Sequence, residues 1–386
     1  MNIDSPLFAI LILALMLGCA WLTLRLAPIE LPDGRLTSID GLRGFLAVSV
    51  FIHHAMIWRD YLLLGRWQAP ESNLYNELGQ SSVGLFFMVT GFLFTRRLLD
   101  TEMDWVRLYA GRVMRLAPLY LFAITLMFAL VAWRSDFTLH QPAHDVVVQS
   151  LRWLSFGFWA PPINGVAETG TMTAYVTWTL PWEWKFYLAL PFIAFGLRHR
   201  QKRAVFALGI AVVALLLMFT SMPRFFLCGF AAAVLVRDPR WLAFARTRRA
   251  SLVVIVCLLA TLLLFHGAFK LAPMVLLAVV FAIIAGGNTL YGALAWRPSR
   301  LLGEISFSVY LLHGLLLFVM FRTVLPAPEE LSAMQHWLAV IGAAPILFLA
   351  SLCTFWFVER EGIRHTDALN GWVRGRFPFL RAAVKV

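Results

Sequence analysis

Charge is scarce in this sequence. Asp, Glu, Lys and Arg together make up 14% of its 386 residues, where a soluble globular domain carries about a quarter. Apolar residues fill 60% of the chain, in runs longer than a soluble core needs, so a polytopic membrane protein is expected. Cysteine is scarce as well. Cys19, Cys228, Cys257 and Cys353 all lie in apolar runs without metal-ligand spacing, so they read as small apolar side chains and no metal is expected. Acidic residues number 21 against 33 basic ones. The surplus suggests nucleic acid, but basic residues beside membrane spans ordinarily set topology, and no nucleic-acid partner is expected. Internal repeats and low-complexity tracts are absent from the sequence. The stretch "LMLGCAW" is faintly like a lipoprotein cleavage site, yet "MNIDSPLFA" before it lacks a basic region, so no processing is expected there.

What is present is a series of apolar windows near 20 residues. Eleven are found, near 6–27, 39–59, 79–98, 115–134, 175–197, 204–220, 222–236, 250–267, 271–290, 301–321 and 336–358. The fold class expected is therefore all-α, a transmembrane helical bundle of about eleven spans. Alternate connections hold 25 of the 33 basic residues, among them Arg43, Arg112 and Arg115. The positive-inside rule then puts the amino terminus outside and the carboxyl terminus in the cytoplasm. The connection 135–174 reads as an outer loop with a surface-lying stretch around "VVVQSLRWLSFGFW", and the tail "GWVRGRFPFLRAAVKV" suits a basic interfacial segment.

Ionisable side chains in hydrocarbon cost about 2.5–3.5 kcal/mol each on insertion scales and are functional candidates by default. Three lie deep: His54, Glu183 and His313. With a rise of about 1.5 Å per residue, His54 is about 16 Å and His313 about 18 Å from the cytoplasmic face. Glu183, about 12 Å below the outer face of a core about 30 Å thick, falls in the same layer. The plain alternative for any one of them is an interhelical hydrogen bond. His53 points about 100° away from His54 and reads as structural; Lys185 reads as a paired or snorkelling side chain. Pro181 is a candidate for a bend in the helix of Glu183. Arg112 and Arg115 share a helical face. They are either ordinary topology charges or a clamp for phosphates, whose geometry a guanidinium matches in a bidentate way, with Arg43 a further member.

Taken together, five ordered segments resemble the membrane-bound acyltransferase family 3, polytopic enzymes that O-acylate bacterial glycans. They are "IDGLRGFLAVSVFIHH", "LFFMVTGFL" with Thr90 where the family has Ser, "RVMRLAPLY", "WTLPWEWKFYLALP" with Thr179 for Ser and an unusual Pro181 and Trp182, and "ISFSVYLLH". The resemblance implies a ten-span acyltransferase unit over 37–358. Residues 1–30 then supply an added amino-terminal span and 359–386 a basic cytoplasmic tail. Some members carry an esterase-like domain after the membrane unit; this chain is expected to end too soon for one.

What the resemblance implies about function is specific. An acyl group, usually acetyl, passes from cytoplasmic acyl-coenzyme A, a co-substrate and not a resident cofactor, to a hydroxyl of a surface or periplasmic glycan or lipid-linked sugar. The location implied is the bacterial inner membrane, with lipids as partners and no oligomeric state specified. Arg43, Arg112 and Arg115 would hold the donor phosphates. His54 would act as general base or transient acyl carrier. Glu183 would orient that imidazole or bind the sugar. His313, Trp178 and Thr90 would contact the acceptor or support the site. Two other classes stand beside this reading. A proton-coupled transporter or flippase of a glycan precursor also uses intramembrane His and Glu, though repeated halves are not apparent. A structural membrane subunit leaves the shared depth of the three residues without a cause.

Overall fold

The computed structural model describes residues 3–27, 29–31, 36–158, 160–198 and 221–377. Regular structure is helical throughout, with short 3-10 and π turns and no strand among the described residues. Among the described residues six helices are long and apolar enough to cross a membrane. They are α1 (Pro6–Leu26), α2 (Thr37–Leu64), α3 (Asn73–Asp100), α4 (Trp105–Arg134), the helix Ser306–Val324 and the helix Ala333–Arg376. The protein is thus a multi-pass, all-α membrane protein.

Several expected windows take other forms. Between α4 and the next long segment lie α5 (Ala143–Leu154), on the outer-loop stretch read as surface-lying, and the short α6 (Thr169–Met172). The window near 175–197 is α7 (Thr179–Arg198), which carries Glu183 and Lys185 and does not reach the apolar density of the six. Pro181 does not bend it. The helix starts at Thr179, so Pro181 sits in the first turn, where its missing N–H costs nothing. The window 204–220 lies outside the described residues. Those near 222–236 and 271–290 become short apolar helices, α8 (Met222–Leu235) and α11 (Leu271–Ala285). The window 250–267 becomes α10 (Arg248–Leu264), bent by 74° from α9 (Pro239–Ala245). The window 301–321 is broken at Ile305 into α12 (Arg297–Glu304) and α13 (Ser306–Val319).

Two π turns extend the last long helices. Residues Met320–Val324 continue α13, and Phe355–Glu359 link α14 (Ala333–Thr354) to α15 (Arg360–Arg364) and α16 (Thr366–Arg376). Local chemistry sets the starts. Ser332 and Gln335 form a reciprocal capping box at α14, and Pro6 opens α1 behind the Ser5 cap.

Helix α2 is the most buried of the six and α1 the least, so α2 forms the spine. It packs on α3, α12 and α13, while α1 covers α12 and α14 from outside. In a bilayer, close backbone approach replaces much of the hydrophobic drive, because lipid tails are as apolar as Leu. The α3–α8 seam illustrates this. A Cβ on Gly91 would lie 2.3 Å from the Phe226 carbonyl oxygen, and one on Gly229 would lie 2.2 Å from that of Met88. Only glycine fits at both. The seam brings α3 close enough to α7 and α8 for Thr90 to meet Glu183.

Candidate active site

A cavity of about 480 Å³ lies between α2, α3, α4, α7 and α13. Arg43 of α2, Arg112 and Arg115 of α4, Thr90 of α3, and Glu183 of α7 all line it. The site residues expected on four separate segments therefore share one chamber. Arg112 and Arg115 lie one helical turn apart on α4. The Arg112 guanidinium sits over the rings of Phe94 at 5.0 Å and Tyr187 at 5.9 Å, a cation–π contact that holds it at the chamber wall. Arg115 Nη2 lies 3.5 Å from Glu359 Oε1.

Glu359 is a residue that pattern reading leaves to the polar tail, yet it is fully buried. Its Oε2 accepts from Ser308 Oγ at 3.3 Å. The π turn Phe355–Glu359 explains the discrepancy. One extra residue in the turn rotates the end of the helix relative to the apolar stripe and aims the carboxylate inward. The only sequence signal is an acid set between a Val and an Arg at the end of an apolar run.

Glu183 is held at both oxygens. Thr90 Oγ1 donates to Oε1 at 3.4 Å and Tyr187 Oη donates to Oε2 at 2.9 Å. A hydroxyl at position 90 is what this bond needs, and Thr supplies it as Ser would. Its hydrogen bonds go to those hydroxyls; the group against His54 is His313.

The two histidines form a defined pair. His313 is fully buried, and its Nδ1 lies 3.1 Å from the Val309 carbonyl oxygen one turn earlier. A carbonyl only accepts, so that nitrogen carries the proton and Nε2 keeps its lone pair. Nε2 in turn lies 3.1 Å from Nδ1 of His54, which is also 3.0 Å from the Val50 carbonyl oxygen. With two acceptors facing it, Nδ1 of His54 is the protonated nitrogen. The basic lone pair of His54 is therefore on Nε2, and the ring is partly exposed, not sealed. His53 is its opposite: buried, bonded through Nδ1 to the Tyr75 carbonyl oxygen at 2.7 Å, with Gly79 pressed against its ring.

His54 does not line the cavity; Tyr310 connects the two. Its ring belongs to the lining and stands edge-on to His313 at 6.1 Å, and its hydroxyl is anchored by Thr179 Oγ1 and the Val176 carbonyl oxygen. Trp178 lies apart, edge-on to Phe87 at 6.3 Å. Lys185 rests over Trp182 at 4.1 Å. Tyr187, Tyr310 and Glu359 are the site residues that pattern reading misses.

The arrangement lines one chamber with three guanidinium groups and with a tyrosine that backs onto an imidazole whose tautomer is set by its neighbours. Such a layout can position a polyanionic donor and deprotonate a nucleophile.

Comparison with known proteins agrees with this chemistry. Over 371 residues the chain is 24% identical to "Putative peptidoglycan O-acetyltransferase YrhL" of Bacillus subtilis (strain 168), covering 83% of this chain and 54% of that protein. Over 368 residues it is 26% identical to "Putative membrane-bound transacylase BcsY" of Komagataeibacter xylinus, covering 89% of this chain and 87% of that protein. The chain thus spans about half the length of the first relative (54%). No solved structure matches. A family model described as "Acyltransferase domain" matches residues 36–359, from just before α2 to the buried Glu359. By that match the chain belongs to the acyltransferase 3 family.

Proposed function

We propose that this protein moves an acyl group, most simply acetyl, from cytoplasmic acyl-coenzyme A to a hydroxyl of a surface or periplasmic glycan across the bacterial inner membrane. The observation that carries the reading is the single chamber joining Arg43, Arg112 and Arg115 to Glu183 and, through Tyr310, to the His313–His54 pair. In this reading α7, α8, α11 and the bent pair α9–α10 bring the six long helices to ten spans, and the apolar window 204–220, outside the described residues, is the eleventh. The arginine-rich ends face the cytoplasm, as do the carboxyl-terminal helices, and the amino terminus lies outside.

Guanidinium groups would take the donor's phosphates, because charge-assisted bidentate bonds to oxyanions are about twice as strong as neutral ones. Glu183, oriented by Thr90 and Tyr187, would accept from amide N–H groups of the pantetheine arm. The thioester carbon then lies beyond Tyr310, within reach of an acceptor hydroxyl beside His54. Nε2 of His54 takes the hydroxyl proton as the oxygen attacks the carbonyl. The C–S bond breaks, the thiolate recovers the proton from the imidazolium, and ester plus free coenzyme A leave. His313 would hold the base in the required tautomer and share the imidazolium charge through its Nε2.

Radiolabelled acetyl-coenzyme A applied to inside-out vesicles tests the reading. Label is expected in a glycan ester on the lumenal side. Proton-driven sugar flux with no ester formed would replace the enzyme by a carrier.

A further inference from the structure

Beyond the donor chamber, the outer end of His54 carries a second constellation. The His54 ring is stacked on Trp67 at 6.2 Å and 22°. Trp67 is itself held by Trp58 at 5.5 Å, Tyr61 at 5.6 Å and Tyr175 at 5.7 Å. Trp67 and Tyr61 are partly exposed and Tyr175 is open, so this is a platform and not a sealed core.

The platform is built at some conformational cost. Ala174 and Tyr175 both adopt left-handed backbone, with φ of 48° and 55°, an arrangement non-glycine residues keep only when their surroundings enforce it. Two close approaches enforce it here. A Cβ on Gly314, next to His313, would lie 2.4 Å from the Thr173 carbonyl carbon. One on Gly170 would lie 2.2 Å from the Tyr175 ring. The strained loop is thus clamped onto the helix that carries His313.

Arg322 stands at the edge of the platform. The π turn Met320–Val324 places its guanidinium over Tyr61 at 5.2 Å and Trp58 at 5.9 Å. Nη2 pairs with Glu168 Oε1 at 2.8 Å, while the other oxygen of Glu168 is taken by Arg134 at 3.1 Å. Two guanidinium groups share one carboxylate, which leaves the trio one positive charge in excess. Two buried N–H donors at this spot are without partners, Arg322 Nε and Trp58 Nε1, the latter on a fully buried ring. Unpaired donors in so polar a cluster are costly unless something binds them.

We infer that this cluster is the acceptor subsite, and that it takes a sugar bearing a carboxylate or other oxyanion: the sugar face lies on Trp67, the anion meets Arg322, and a ring hydroxyl is presented to Nε2 of His54. The inference rests on the acyltransferase reading for the role of His54, and on ring geometry and unpaired donors for the rest. Aromatic faces bind the apolar C–H side of a sugar at little entropic cost. A guanidinium in excess of its counter-ions selects a negatively charged partner.

The test uses the full chain in nanodiscs and two tetrasaccharides of equal length, neutral chitotetraose and acidic hyaluronan tetrasaccharide. Equilibrium binding and acetyl transfer are measured separately. The acidic sugar is expected to bind about tenfold tighter than the neutral one. Arg322→Gln should erase that preference, and Trp67→Ala should weaken both sugars about fivefold. Arg322→Lys keeps the charge beside Glu168 and guards against a folding defect; the preference should survive in it. Equal affinity for the two sugars, a preference that persists in Arg322→Gln, or no binding of either would overturn the subsite. A preference that tracks Arg322 while no acetyl leaves the donor would uphold the subsite and remove the acyltransferase reading instead.

Discussion

Two regions of this molecule, on either side of His54, are built from different side chains. One end gathers Arg43, Arg112 and Arg115 around a chamber of about 480 Å³, with Glu359 buried behind them as counter-charge. The opposite end gathers rings around Trp67 and admits one guanidinium, already half engaged by Glu168. The first arrangement suits a small ligand of high charge. The second suits a broad ligand with faces and little charge. Between them lies His54, whose proton is directed to Nδ1 by Val50 and His313, leaving Nε2 for chemistry. A protein that bound the same compound at both ends, as a carrier does, would have little use for such asymmetry.

That comparison can be broken at its centre first. His54→Ala is expected to lower acetyl transfer by about 10²–10⁴-fold, the contribution of a general base, with binding of acetyl-coenzyme A unchanged by equilibrium titration. Retained transfer would remove His54 from the mechanism.

At the charged end, Arg112→Ala combined with Arg115→Ala should raise KM for acetyl-coenzyme A by about 10²-fold, two charge-assisted contacts being lost, while sugar binding stays put. An unmoved KM would make both residues topology charges. His313→Ala should cut kcat by about tenfold or more with KM for both ligands preserved, because a tautomer-setting bond is lost and no binding contact is. His313→Gln, which restores an acceptor to Nδ1 of His54, should recover part of the loss. A fall in binding in place of kcat would put His313 in contact with ligand.

The smallest effect belongs to Glu359→Gln. Losing the partner of Arg115 should shift donor KM by about fivefold or less, because the donor phosphate can take the place of the carboxylate on that guanidinium. It should also lower the thermal midpoint of the unliganded protein, with saturating coenzyme A closing the gap as phosphate replaces carboxylate. A gap that coenzyme A leaves open would make Glu359 a structural residue remote from the donor.

Spacing along one helix is legible in the sequence. Arg43 and His54 lie eleven residues apart on α2, and that distance is metric because an α-helix rises by a constant amount per residue. Relations across helices are not. Thr90 with Glu183, Arg115 with Glu359, and His313 with His54 each join segments far apart in sequence, and apolar periodicity carries no record of which helix neighbours which. The count of spans suffers for a related reason. Hydropathy averages over a window and does not see the break at Ile305 or the 74° bend after α9.

Composition and pattern alone determined that the chain is an all-helical, multi-pass membrane protein with buried ionisable groups. They also carried the order of motifs that marks its family, because desolvation energy is a local property of residue type. Only tertiary structure decided that Glu183 faces the arginine-lined chamber, that His313 is the partner of His54, and that Arg322 and Glu359 turn inward. The last two ride on π turns, where one inserted residue rotates a side chain off the 3.6-residue stripe on which every sequence pattern depends.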